Sequence, residues 1–353
     1  MHRQLSDDER VKLLCRICKP SFWLKDHPHL YPYYTLGTEP PYWSAESGGF
    51  GAILREYGFY PRMLPLCIAT DHAPRWEDAG PLKEELESSA PCQLYHNKRY
   101  IPIWHMKSQK PVYRLSSPFA HYRRSRKIVK APSARGTLAF FAHSTPNIKD
   151  AINIDAYIDD LLTLPAEFQP VHACIHYYDI QQNRHLPFIK RHIPVFTVGH
   201  IQDARFASRF YNLLKNYQYS TSSVLGSYTF YSTEMDIPFF LHGERSKLIN
   251  TADPNHPKGE IDEYARDNHT KMLTDLFSLN HVHKEDKLAY TQELLSLDQG
   301  ITRIQLSYVL YLSFLKWIIK TQNAKSFFYA LFLRVFFEAK TLVSRKNKDD
   351  LHD

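Results

Sequence analysis

This sequence lacks a disulfide framework, a membrane span and a dinucleotide motif. Its five cysteines, Cys15, Cys18, Cys67, Cys92 and Cys174, are odd in number and scattered, which argues against paired disulfides and for a reducing compartment. Cys15-x-x-Cys18 has no second Cys or His pair to complete a zinc site, so two ordinary thiols on an amphipathic helix are expected, and no metal. The opening residues, MHRQLSDDERVKLLCRICK, carry acidic groups where a signal peptide is basic and then apolar, so no export is expected. No apolar run reaches the roughly 18 residues of a transmembrane helix. A G-x-G-x-x-G fingerprint is also absent, which removes support for a dinucleotide site but leaves a mononucleotide site open.

What is present suffices for real cores. Hydrophobic residues make up 43% of the 353 and charged residues 23%, a composition too apolar for a disordered chain and a length that suits two domains. Forty-four Lys and Arg against 37 Asp and Glu leave a formal charge of +7, which favours an anionic partner such as a nucleotide or an anionic lipid. The basic residues form no single stripe or recognisable motif, so no nucleic acid is expected as a partner.

Along the chain, residues 1 to about 20 read as one helix capped by Ser6, followed by a Pro- and Tyr-rich loop from Pro20 to Tyr42. A helix is expected over Ala52–Tyr57, after the small residues of SAESGGFG. A strand over Met63–Ala69 runs into the polar, Pro-terminated segment Thr70-Asp71-His72-Ala73-Pro74. Short apolar runs sit at Tyr100–Trp104 and Val112–Leu115, and the basic stretch Tyr122–Arg135 reads as a linker. Beyond it, strands at Thr137–Ala142, Val171–His176, Val195–Val198, Tyr219–Ser222 and Pro238–Leu241 alternate with helices at 153–164, Gln181–Arg191, Asp203–Asn216 and Val224–Glu234. Such alternation predicts a parallel, Rossmann-like sheet covered on both faces. The expected fold class is therefore α/β, with units at 1–130 and 136–300 and a tail at 301–353. In the tail, Ile304, Tyr308, Tyr311, Leu312, Leu315, Ile318 and Ile319 share one helical face, as do Phe328, Leu331, Phe332, Val335, Phe336 and Leu342, with Lys and Arg alongside. That pattern suits either the surface of an anionic membrane or a contact with another subunit.

Open parallel sheets take ligands beyond the carboxyl ends of their strands, and three such ends carry suitable chemistry. Ser222, Ser223, Gly226 and Ser227 stand at a strand-to-helix junction, where small hydroxyl residues and unpaired helical N–H groups can receive a phosphate. His143 with Ser144, and Gly199 with His200, end two other strands and can meet phosphate, ribose or base. His176 and Asp179 belong to the same edge. In the first unit, Asp71 and His72 lie on a strand-end loop, and Glu46 lies beside Ser47-Gly48-Gly49-Phe50-Gly51.

The order of a Gly-His loop, then a Ser-Ser pair about 22 residues later, then Asp236-Ile237-Pro238 in a C-terminal α/β domain resembles bacterial GT-B glycosyltransferases of surface-polysaccharide assembly. The likeness is to the CMP-sugar-using, sialyltransferase-like group. In that group a His-Pro motif and a Ser-Ser motif hold the CMP of the donor; His200 matches the first, with Ile201 at the proline position, and Ser222 and Ser223 match the second. The resemblance covers roughly 137–245 and implies a GT-B-like fold of two Rossmann-like domains, the first binding acceptor and the second nucleotide sugar. It further implies transfer of an acidic sugar such as a sialic, nonulosonic or Kdo residue to a lipid-linked or surface polysaccharide, on the cytoplasmic face of the membrane, with contact through 301–348. A UDP- or dTDP-sugar is the next donor. Asp71, His72 or Glu46 would accept the proton of the acceptor hydroxyl. No cofactor beyond the donor is implied, and the D-x-D motif of metal-dependent transferases is absent. A sugar-nucleotide epimerase or hydrolase, and a non-catalytic membrane-associated scaffold, are the alternatives.

Overall fold

The structure, a computed structural model, describes residues 6–24, 43–62, 64–71, 73–77, 80–254, 256–261, 267–279, 284–297, 299–319, 328, 329 and 332. Among the described residues eleven strands run in chain order as β1 (Ala69–Thr70), β2 (Gln93–Tyr95), β3 (Val112–Arg114), β4 (Thr137–Phe140), β5 (Ile148–Asp150), β6 (Val171–Cys174), β7 (Val195–Phe196), β8 (Tyr219–Ser222), β9 (Phe239–Leu241), β10 (Leu248–Asn250) and β11 (Gly259–Ile261). They form a small parallel sheet β1-β2-β3, a five-stranded parallel sheet β7-β6-β4-β8-β9, and an antiparallel sheet β11-β10-β5. The fold is α/β with two parallel sheets, the class the sequence predicts.

The five-stranded sheet is legible because its central strand β4 and the neighbouring β8 are buried almost throughout. Along β4, Leu138 and Phe140 join one apolar cluster, while Ala139 and the following Phe141 join the other, as the two-residue period of a strand dictates. The first of these clusters also takes in Ala45, Phe50, Leu54 and Leu94 around the small sheet, so the two sheets share a core. At about 1.5–3 kcal/mol per fully buried large apolar side chain, residues such as Phe50 and Phe230 bind the two parts of the chain together.

Several expected elements are redrawn by packing. The first helix stops at Ile17, and Pro20 opens a new turn over Pro20–Trp23 because its fixed φ suits a first helical position. The run at Tyr100–Trp104 is the start of a helix, Tyr100–Lys107, which buries Tyr100 and Trp104. Residues Pro118–Ser125, partly inside the expected linker, are helical, and Arg123 and Arg124 clasp the buried Glu234 carboxylate. The helix expected over Gln181–Arg191 is two short ones, Tyr177–Gln181 and Leu186–Lys190, with Asn183 between them at positive φ. In the tail, Arg303–Ile319 is a helix; the second tail face, from Phe328 to Leu342, falls mostly outside the described residues. Among the described residues no helix is long and apolar enough to cross a membrane.

Candidate functional site

In the five-stranded sheet the chain proceeds from β4 outward through β6 to β7, then returns to the other side of β4 as β8 and β9. The topological switch point therefore lies between β4 and β8, where parallel α/β sheets open a crevice for ligands. The loops flanking it are the one after Phe140, carrying His143 and Ser144, and the one after Ser222, carrying Ser223 to Gly226.

On the β7 side of that point the strand ends carry a row of packed rings, with His143 exposed at its rim. His143 stacks on His176 at 4.4 Å between centroids, His176 meets Tyr177 at 4.4 Å, Tyr177 meets His200 at 4.2 Å, and His200 stacks on Trp23 at 4.6 Å. Burial, reinforced by the neighbouring His143 and His200, holds the His176 imidazole well below the ordinary histidine range. His176 therefore stays neutral at pH 7. His200 Nδ1 accepts the Gln202 N–H at 3.2 Å. Gly199 has φ +87°, and a Cβ there would lie 2.4 Å from Arg209 Nη1, so the missing side chain makes room for a guanidinium. That guanidinium binds Asp203 at 2.6 Å. Ser144 is equally engaged: its Oγ accepts from the Asp150 N–H at 3.2 Å and from Arg184 Nη1 at 2.8 Å, and its N–H donates to Asp179. Arg184 also pairs with Asp150 and Asp179, whose carboxylates have no solvent exposure.

On the β8 and β9 side the space is open. A cavity of about 650 Å³ is walled by Trp76, Ser223, His242, Arg245, Lys247 and Asp275 among others. Two of these residues bury a polar atom with no protein hydrogen bond, Ser223 Oγ and Trp76 Nε1. Ser222 does not share this role, because its Oγ lies 2.9 Å from the Tyr228 hydroxyl, and Tyr228 is stacked on Phe140 at 4.7 Å. Gly226 caps the helix Ser227–Glu234, and a Cβ at Gly226 would strike the Tyr228 ring. The expected helix start at Val224 is thus three residues early: 224–226 form a loop held by Tyr228, whose hydroxyl donates to the Val224 carbonyl. Ser223 lines the cavity, whereas His143, His176 and His200 do not. Ser223 and the three histidines thus stand at two places on one sheet edge.

At the small sheet, Asp71 follows β1 and His96 follows β2. The His96 N–H donates to Asp71 Oδ2 at 3.1 Å, and His96 Nε2 lies 3.5 Å from Oδ1, both side chains having no exposure. Burial pushes the Asp71 carboxyl up, against the pull of His96 and Arg75. Glu46 is held by Arg55 at 2.7 and 2.9 Å and lies where a Cβ on Gly51 would be, 1.8 Å away. It is a buried ion pair, not an accessible base. His72 lies outside the described residues. Among the described residues no group of three or more His, Cys, Asp or Glu is arranged to hold a metal ion; burial pushes the Cys18 thiol up to about 12, away from the thiolate a metal needs.

Sequence reasoning missed Trp76, His96, Arg184, Arg245 and Lys247. A tryptophan in the Pro74-Arg75-Trp76 loop just beyond Asp71 was the one available signal. His96 ends a three-residue strand too short to show a period.

No family model matches the chain, and no curated protein matches it. Among solved structures it is similar to S. aureus TarM, crystallised as a mutant in complex with Fondaparinux, alpha-GlcNAc-glycerol and UDP. The identity is 11%, the TM-score 0.30, and the match covers 76% of this chain and 50% of that one, so the chain spans about half the length of that protein.

Proposed function

We propose that the chain is a metal-independent glycosyltransferase of GT-B type that holds a nucleotide-sugar donor in the cavity between Trp76 and Ser223. The observation that carries this reading is a cavity of about 650 Å³ at the carboxyl edge of the large sheet, lined by Trp76 and Ser223, each of which keeps one buried polar atom without a protein hydrogen bond. Leaving a buried polar group unpaired costs about 1–3 kcal/mol, and a cavity of this size suits a nucleotide-sized ligand. Trp76 comes from the small-sheet side and Ser223 from the large-sheet side, so a ligand between them bridges the two.

The chemistry proposed rests on two cations in the cavity wall and a helix start beside it. Arg245 and Lys247 line the cavity alongside Glu244, Glu260 and Asp275, Lys247 pairing with Glu260 at 3.6 Å, and the helix Ser227–Glu234 presents its N-terminus just beyond the Ser223 loop. Together they suit the diphosphate or phosphate that becomes the leaving group, whose growing negative charge they stabilise as the bond to the sugar breaks. The Trp76 indole offers a flat face and one N–H to base or sugar. On the acceptor side Asp71, oriented by His96, is the base; because it has no exposure here, an acceptor hydroxyl reaches it only when the two sheets part. The donors to test are a CMP-activated acidic sugar and a UDP-sugar; with His200 away from the cavity and Ser222 bonded to Tyr228, the Gly-His and Ser-Ser order does not rank one above the other. The acceptor proposed is a lipid-linked glycan at the cytoplasmic face of a membrane.

Thermal-shift and calorimetric titration with CMP, CDP, UDP, dTDP and GDP tests the reading. One of these should bind, and its sugar conjugate should be consumed only when a glycan acceptor is added. Turnover without acceptor would make the chain a hydrolase or epimerase, and no binding by any nucleotide would remove the transferase reading.

A further inference from the structure

The helix Arg303–Ile319 has two apolar faces of different fate. Leu306, Val309, Leu310, Ser313 and Trp317 are buried: Leu310 packs against Gly58, where a Cβ would approach it to 2.8 Å, and Ser313 Oγ meets Cys92 Sγ at 3.4 Å. The opposite stripe, Ile304, Tyr308, Tyr311, Leu315 and Ile319, is exposed, with Ile304 at 80% and Ile319 at 78%. These positions are four, three, four and four residues apart, which keeps them on one line along a helix. The stripe continues at its start into Phe59, 64% exposed and held at φ +50°. There Tyr311 Oη donates to the Phe59 carbonyl and the Arg303 guanidinium sits 3.5 Å over the Phe59 ring. A non-glycine residue with positive φ that exposes a phenyl ring is costly twice over.

We infer that this stripe lies in the interfacial layer of an anionic membrane. The choice of occupant rests on charge. From Arg303 to Asp353 the sequence carries nine Lys and Arg against four Asp and Glu, so this end of the chain accounts for five of the formal +7. Lys316 sits exposed on the helix itself, and Arg303 is exposed at its start with Nε and Nη2 bonded to the Tyr57 and Glu56 carbonyls. A stripe of Ile, Leu and Tyr beside cations buries its apolar side chains at the headgroup boundary while the cations meet lipid phosphates. A second copy of the chain would instead bring the same cations against one another. Phe328, Tyr329 and Phe332 are exposed apolar residues further along the same basic segment. The inference stands without the transferase reading, since it needs no nucleotide and no acceptor.

The test is flotation of the full chain with phosphatidylcholine vesicles and with vesicles containing one quarter phosphatidylglycerol, at low and at 0.5 M salt. The expected result is at least tenfold stronger binding to the anionic vesicles, falling with salt, and at least tenfold loss in the double variant Tyr308→Glu, Leu315→Glu. Val129→Glu, an exposed apolar position elsewhere, should bind as the unaltered chain does. Equal binding of both vesicle types, no binding to either, or an unaffected double variant would overturn the inference. So would a self-associating chain, seen by sedimentation, that the double variant renders monomeric while vesicle binding is unchanged.

Discussion

Beyond β6 and β7 the strand ends of the large sheet are filled by His143, His176, Tyr177, His200 and Trp23, ring against ring. Beyond β8 and β9 the same edge opens into a cavity with two unpaired donors. Both ends carry the residue types of a ligand site, so chemistry alone does not separate them. The difference is space: the histidine end, where His176 Nδ1 is itself without a hydrogen bond, is packed by neighbouring rings, whereas Trp76 and Ser223, each with one such atom, line a cavity.

That comparison can be broken at its joint, Arg184, which ties the β4 loop to Asp150 and Asp179 and, through the Ser246 hydroxyl bonded to Asp150, to the cavity's own loop. Arg184→Ala strands two buried carboxylates and should cost about 3–5 kcal/mol by urea denaturation. Asp203→Ala should cost somewhat less, about 3 kcal/mol at pH 7. Burial alone would raise the Asp203 carboxyl, but Arg205 and Arg209 outweigh it and hold it below the ordinary range. A depressed carboxylate lends stability that is present above its unfolded value and lost as pH falls through the folded one. The gap between variant and parent should therefore close in acid below the usual aspartate range. Trp76→Phe sharpens the contrast from the other side. Removing an unpaired donor should leave the free protein as stable or slightly more so, while nucleotide affinity falls roughly tenfold, or about 1.4 kcal/mol. The smallest effect concerns His176. Its fold keeps it neutral, so as pH drops below about 6.5 the unfolded chain takes up a proton that the native state refuses, and stability is lost. His176→Gln should flatten that decline between pH 7 and pH 5 in a series of melting curves.

The sequence shows the large sheet plainly because β4, β6 and β8 are mostly buried and read as short apolar or small-residue runs, broken in β6 only by the half-buried His172. It conceals the small sheet, whose β1 has two residues and whose β2 and β3 have three, too few for any period. The antiparallel sheet is concealed for the same reason, and because Lys149, Ile249 and Glu260 leave it exposed. Ser223, His143 and His200 are visible as residues at strand ends. That Tyr228 would claim Ser222, that Arg209 would fill the space above Gly199, and that Trp76 would reach the cavity are tertiary facts, made by residues 6 to about 150 positions away in the chain.

Calorimetry with the best-binding nucleotide tests the central claim most directly, comparing Ser223→Asp with His200→Gln in folded protein. A carboxylate at position 223 should repel the phosphate and weaken binding at least a hundredfold, while the change at 200 should alter it less than threefold. Near-normal binding by Ser223→Asp together with loss in His200→Gln would place the nucleotide at the ring-filled end and contradict this account.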